Sequence, residues 1–272
     1  MPNFTHDGIH FHYERRGSGP TLVMTHGLTG DCEVIKRLLE PCDGIDLIVW
    51  DCRGHGRTEP VGDEGSFSFR TFASDLNHLL SHLGVQRATV GGVSMGAGIT
   101  VRLALQRPEL VSAMILIRPA WLDRGSPAGL RSIERVGELL KSDTETNKEA
   151  ALEADPDFQQ MRERDPMAAT QTRQLLHDPR GIDRCARLLK MPRDRPIVDW
   201  SEVERLTMPA LVIGCNADYV HPIEYAHEWV RRLPHASFVE VPAKSQSEAQ
   251  YQSGVCSAVM AFINEQSADN PQ

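Results

Sequence analysis

The sequence predicts an α/β fold: a doubly wound, mostly parallel sheet interrupted once by a helical insertion. Three observations carry this. Short apolar runs alternate with longer amphipathic ones along most of the chain. Several apolar runs are continuous rather than alternating, as strands covered by helices on both faces require. Between about Ala120 and Arg205 the alternation stops, and charge, helical spacing and proline take over.

Taken in order, strands are expected at Ile9 to Glu14, Leu22 to Thr25, Leu47 to Trp50, Ala88 to Val90, Ala113 to Ile117, Ala210 to Ile213 and Phe238 to Val241. Helices are expected at Arg70 to Leu83, Met95 to Arg107, Ile223 to Arg232 and Gln250 to Asn264. Within the insertion, Leu130, Ile133, Val136 and Leu140 recur at helical spacing, and Pro156, Pro166, Pro179, Pro192 and Pro196 cut its remainder into short pieces. The expected organisation is a core of residues 1–119 and 206–265, a helical cap at 120–205, and a disordered tail at 266–272. An insertion of this kind, placed between strands whose C-terminal ends build a site, would serve as a lid. Its Trp121, Leu122, Phe158, Met161, Leu175, Leu176 and Met191 are the expected apolar wall.

Composition narrows the function classes. A formal net charge of -8 repels a nucleic-acid backbone or an anionic membrane surface, so neither is an expected partner. Met1 to Arg16 has no signal-like apolar run and no stretch approaches a membrane span, so a soluble, cytoplasmic chain is expected. The six cysteines, Cys32, Cys42, Cys52, Cys185, Cys215 and Cys256, show no paired spacing, and free, mostly buried thiols are expected. No metal or organic cofactor is implied by the His and Cys positions. The partner expected is a small-molecule substrate, and a homodimer is left open.

The chemistry is concentrated at Gly92-Val93-Ser94-Met95-Gly96. This G-x-S-x-G sequence follows a buried strand and opens a helix, the context of a nucleophile elbow, in which a sharp turn lifts the serine hydroxyl clear of the sheet. Two further segments stand at suitable separations: Thr25-His26-Gly27-Leu28-Thr29-Gly30 and Asp51-Cys52-Arg53-Gly54-His55-Gly56-Arg57. Together the three motifs resemble those of the α/β-hydrolase superfamily, specifically its lidded, esterase- or lactonase-like branch, and the resemblance covers nearly the whole chain. It implies Ser94 as nucleophile and a loop-structuring role for His26 and His55. Attack on a carbonyl places negative charge on oxygen, and two main-chain donors are identifiable for it: the N–H of Met95 at the helix start and the N–H of Leu28 after His26-Gly27. Both side chains are also expected to line the pocket.

The acid expected from the resemblance is Asp218, in Gly214-Cys215-Asn216-Ala217-Asp218-Tyr219-Val220-His221-Pro222. Its alternative role is to brace the turn before a helix that starts at Pro222. The base is where the pattern departs. Val241-Pro242-Ala243-Lys244-Ser245-Gln246-Ser247 aligns on the segment that carries the family's histidine, and Gln246 occupies that position. Glutamine cannot take a serine proton. Three accounts are open: His221 serves as base from a different loop; the pocket only binds a ligand, as a pseudoenzyme; or a lyase-like or cofactor-free reaction proceeds without proton abstraction from Ser94. Lys244 would have to be desolvated to act as a base near pH 7. The expected function is hydrolysis of a small or medium apolar ester, lactone or related carbonyl compound by Ser94, Asp218 and His221.

Overall fold

The structure, a computed structural model, describes residues 3–142 and 147–269. Eight strands form one sheet: Asn3–His6 (β1), Ile9–Gly17 (β2), Thr21–Thr25 (β3), Asp46–Trp50 (β4), Ala88–Val93 (β5), Val111–Ile117 (β6), Ala210–Gly214 (β7) and Ala236–Glu240 (β8). Their order is β1-β2-β4-β3-β5-β6-β7-β8. β1/β2 and β2/β4 pair antiparallel, and every pair from β4/β3 to β7/β8 is parallel.

Strand alternation divides the core into two layers. Leu22, Met24, Ala113, Ile115 and Ile117 face one side, while Val23, Met114 and Leu116 face the other. On the first side pack Cys32–Leu38 (α1) and, from the far end of the chain, Glu248–Asp269 (α11). On the second pack Phe69–His82 (α2) and Met95–Gln106 (α3).

Between β6 and β7 the described residues contain helices and no strand: Arg131–Lys141 (α4), Lys148–Glu153 (α5), Pro156–Arg164 (α6), Pro166–Gln174 (α7), Gly181–Lys190 (α8) and Trp200–Val203 (α9). Pro156 and Pro166 do not merely interrupt. Each opens a helix at its first position, behind Asp155 and Asp165, whose carboxylates accept from the N–H of Phe158 and Ala168 at 2.9 and 3.0 Å. Arg184 and Arg187 on α8 donate to the carbonyls of Gly56 and Gly54, each at 2.7 Å, tying this segment to the turn after β4. Ile223–Arg232 (α10) then packs with the second layer, where Trp229 Nε1 donates to the carbonyl of Trp121 at 2.9 Å.

Four expectations change. Cys42 and Cys256 are joined as a disulfide with Cα atoms 5.9 Å apart, because α11 returns across 214 residues onto the segment following α1; spacing in sequence carries no trace of that contact. The other four cysteines are free and buried. Residues 266–269, expected in the tail, continue α11, since no glycine or proline stops the helix before Pro271; residues 270–272 lie outside the described residues. Trp121, Phe158, Met161 and Met191 are fully buried in the core of the second layer, Trp121 edge-on to Phe69 of α2 with ring centres 5.2 Å apart, instead of forming a cavity wall. Finally, β1 and α1 are additional to the elements expected from sequence. No helix among the described residues is long and apolar enough to cross a membrane.

Candidate active site

The turn from β5 into α3 holds Ser94 at φ 56°, ψ -109°. A non-glycine residue in that region is strained and persists only where its surroundings enforce it. Here they do. The Ser94 N–H donates to the carbonyl of Ile117 at 2.9 Å, and its own carbonyl accepts from Ala97 at 3.1 Å. Glycine is required at both flanks: a Cβ on Gly92 would lie 2.3 Å from the carbonyl carbon of Gly96, and one on Gly96 would lie 2.2 Å from the carbonyl oxygen of Thr25. The elbow is therefore folded tightly on itself and against the end of β3.

That end of β3 carries the second motif. His26 Nε2 accepts from the N–H of Cys52 at 3.1 Å, and the two ring nitrogens of His55 stand 2.9 Å from the carbonyl of Arg53 and 2.8 Å from that of Leu28. Both rings are buried, and burial is the main reason that each pKa falls below the ordinary histidine range. They hold loops, as expected. Asp51 accepts from the N–H of Cys32 and of Arg57 at 2.7 and 2.8 Å, and Arg53 makes a bidentate pair with buried Asp75. The Leu28 peptide is thus fixed from its carbonyl side, while its N–H has no partner among the described residues. The N–H of Met95, in the first turn of α3, has no acceptor within the helix.

A cavity of about 430 Å³ opens on the elbow. Ser94, Leu28, Asp218 and His221 all line it, as do Leu130, Ile133, Met167 and Leu175 from the helical segment. Met95 does not: its side chain is fully buried in the core beneath, so only its backbone remains a candidate donor. Of the apolar wall expected from sequence, Leu175 alone is on this lining.

Asp218 both braces its turn and meets an imidazole. Its Oδ1 accepts from the N–H of Val220 and of His221, each at 3.1 Å, which braces the turn, and both its oxygens lie 3.0 Å from His221 Nδ1. Burial works to raise this carboxyl's pKa, but His221 and Arg118 outweigh it and hold the group well below the usual carboxylate range. For His221 burial is the largest influence and lowers the pKa; Asp218 opposes this, Arg118 adds to it, and the net shift is downward. The Ser94 hydroxyl makes no hydrogen bond to His221 among the described residues. Gln246 is exposed on the turn after β8, its N–H donating to the carbonyl of Ala243 at 3.0 Å; Ala243, Lys244 and Ser245 line the cavity and Gln246 does not. Lys244 is half-buried and pairs with Glu248 at 3.2 Å.

Sequence reasoning missed Arg118. It comes directly after the last residue of β6, is largely buried, and donates from Nε to Asp218 Oδ2 at 2.5 Å, with Nη2 2.9 Å from His221 Nδ1. The available signal is a charged residue directly after a continuous apolar strand. The fold also brings His12, Glu14 and Cys32 within reach of a shared metal ion. However, Lys36 Nζ lies 2.7 Å from Glu14 and Arg57 Nη1 3.3 Å from His12 Nε2, so two cations already occupy that corner.

A parallel sheet that delivers a strained serine, and a histidine-paired carboxylate from a later strand, to one cavity defines a class, the α/β-hydrolase-fold proteins. The chain belongs to the alpha/beta hydrolase fold family, whose model matches residues 20–252. It is 30% identical over 135 residues to the uncharacterized hydrolase YraK of Bacillus subtilis, covering 49% of this chain and 50% of that relative. The chain thus spans about half the length of this curated relative, and less of others it matches. RutD of Pseudomonas savastanoi, named for carbamate hydrolysis, is 27% identical over 230 residues, 84% of this chain and 87% of that one. Among solved structures, the enol-lactonase of Burkholderia xenovorans superposes with a TM-score of 0.71 at 22% identity, over 97% of this chain and 100% of that one.

Proposed function

We propose that this chain is a serine hydrolase of small or medium ester, lactone or related carbonyl substrates, with Ser94 as nucleophile, Asp218 as acid and His221 as base. One observation carries the reading: the strained Ser94 and the hydrogen-bonded Asp218–His221 pair line one cavity. Its volume of about 430 Å³ suits a small molecule. The carbonyl chemistry of the enol-lactonase and of the relative named for carbamate hydrolysis is in keeping with this substrate class.

With Nδ1–H donating to Asp218, the lone pair of His221 lies on Nε2. Nε2 takes the Ser94 proton as Oγ attacks the substrate carbonyl, and the oxyanion accepts from the N–H groups of Leu28 and Met95. The imidazolium returns the proton to the leaving group, and water then releases the acyl group by the same steps in reverse. Ser94 and His221 reach hydrogen-bond distance, directly or through one water, when substrate is bound. The helices between β6 and β7 act as the lid, contributing Leu130, Ile133, Met167 and Leu175 to the substrate's surroundings.

Hydrolysis of p-nitrophenyl esters of graded chain length tests this. Turnover lost in both Ser94→Ala and His221→Ala is the expected result. Saturable binding of such esters without turnover would instead identify a ligand-binding protein, and turnover surviving in Ser94→Ala would point to chemistry elsewhere in the cavity.

A further inference from the structure

A histidine nitrogen carries either one hydrogen or one lone pair, yet Nδ1 of His221 faces two competing partners. The Asp218 oxygens, at 3.0 Å, call for a hydrogen on it; the Arg118 guanidinium, with Nη2 at 2.9 Å, calls for a lone pair. Arg118 is anchored so that it cannot easily withdraw. Its backbone is in the left-handed region at φ 48°, its N–H donates to the carbonyl of Ile213 at 2.7 Å, and its guanidinium lies 5.5 Å from the centre of the Tyr251 ring on α11. Its Nε holds Asp218 Oδ2 at 2.5 Å.

In a Ser-His-Asp arrangement the carboxylate stabilises the imidazolium that forms during reaction. Here the carboxylate is shared with a permanent cation, and that cation stands against the same ring nitrogen. We propose that Arg118 is a positioning residue that keeps His221 uncharged: with the ring hydrogen on Nδ1 toward Asp218, it shares the carboxylate and sets its positive charge against the ring, which disfavours a second proton and leaves Nε2 free to accept one into mildly acidic solution. This rests on the reading of His221 as base. The charged groups facing the ring are Asp218 on its own loop, Arg118 at the end of β6 and Asp165 at the start of α7. Tyr251 acts through its contact with Arg118, and Cys215 through Asp218 Oδ2, 3.7 Å away. Asp165 raises the ring's proton affinity and burial lowers it, so removal of Arg118 alone leaves the upward influences unopposed by charge.

The test is an NMR titration of His221 in the intact protein, assigned by its loss in His221→Asn, beside the pH profile of kcat/KM for a p-nitrophenyl ester. The expected results are a wild-type midpoint below about 6.5, an upward move of about one unit or more in Arg118→Gln, and a midpoint that stays low in Arg118→Lys. The acid limb of kcat/KM moves up with the midpoint. A wild-type midpoint at or above that of ordinary histidine overturns the proposal, and this needs no variant to fold; so does a folded Arg118→Gln protein whose midpoint does not move. A midpoint that rises while the acid limb stays fixed upholds the role of Arg118 and refutes His221 as the base.

Discussion

Gly96→Ala makes the dependence of chemistry on close packing measurable. A methyl there would sit 2.2 Å from the carbonyl oxygen of Thr25, 2.7 Å from its carbon and 2.9 Å from the carbonyl oxygen of His26. All three are backbone atoms at the end of β3 and of the residue that follows it into the Leu28 loop, so no side chain can swing aside. Overpacking costs about 1 to 3 kcal/mol, and the backbone contact places this case at the top of that range. Alanine returns about 1 kcal/mol of helix propensity, which leaves a net loss of about 2 kcal/mol. The relief available is separation of α3 from the end of β3, which parts the N–H of Met95 from that of Leu28. A misaligned oxyanion donor costs about 10² to 10³ in kcat. Urea unfolding and ester hydrolysis should therefore show both losses in one variant, with KM little changed. A Gly96→Ala protein with wild-type unfolding midpoint and wild-type kcat would refute the packing argument and, with it, the placement of the oxyanion site.

Buried charge leads to further outcomes. His26, His55 and His221 have depressed pKa values, so the unfolded chain binds their protons first; stability is full above about pH 6.5 and falls below it by at most about 1.4 kcal/mol per pH unit for each ring. Urea midpoints at pH 7.5 and 5.5 check this, and a flat profile would contradict it. Asp218→Asn strands the Arg118 guanidinium and should cost about 3 kcal/mol, more than His221→Ala, by urea unfolding. Gln246→His should leave kcat/KM unchanged, because that side chain is exposed and off the cavity lining; a gain of tenfold or more in the ester assay would place the working base on the turn after β8.

The legible part of the fold is the part written in local periodicity. The span Ile223 to Arg232 matches α10 at both ends, since Pro222 sets its start and the apolar face is regular. The elbow is equally legible, because only glycine fits at positions 92 and 96. α1 carries a fainter signal of the same kind: Asp31 caps it, and Cys32, Ile35 and Leu38 recur along its buried face over only seven residues. Contacts between distant segments leave no such mark. Nothing near Cys42 announces Cys256, and nothing near β6 announces that Arg118 meets a loop 100 residues later. The large apolar residues of the helical segment are readable as buried but not as to what they pack against. Trp121 packs on Phe69 of α2 and Phe158 lies in the same core, and smaller residues such as Ile133 and Ala168 reach the cavity.

Activation of Ser94 in a working site can be read out by a fluorophosphonate probe followed by intact-protein and peptide mass spectrometry. One adduct is expected, on the peptide containing Ser94, absent in Ser94→Ala and formed at least about 10²-fold more slowly in His221→Ala. A folded wild-type protein that stays unlabelled, or that is labelled as fast without His221 as with it, would contradict it.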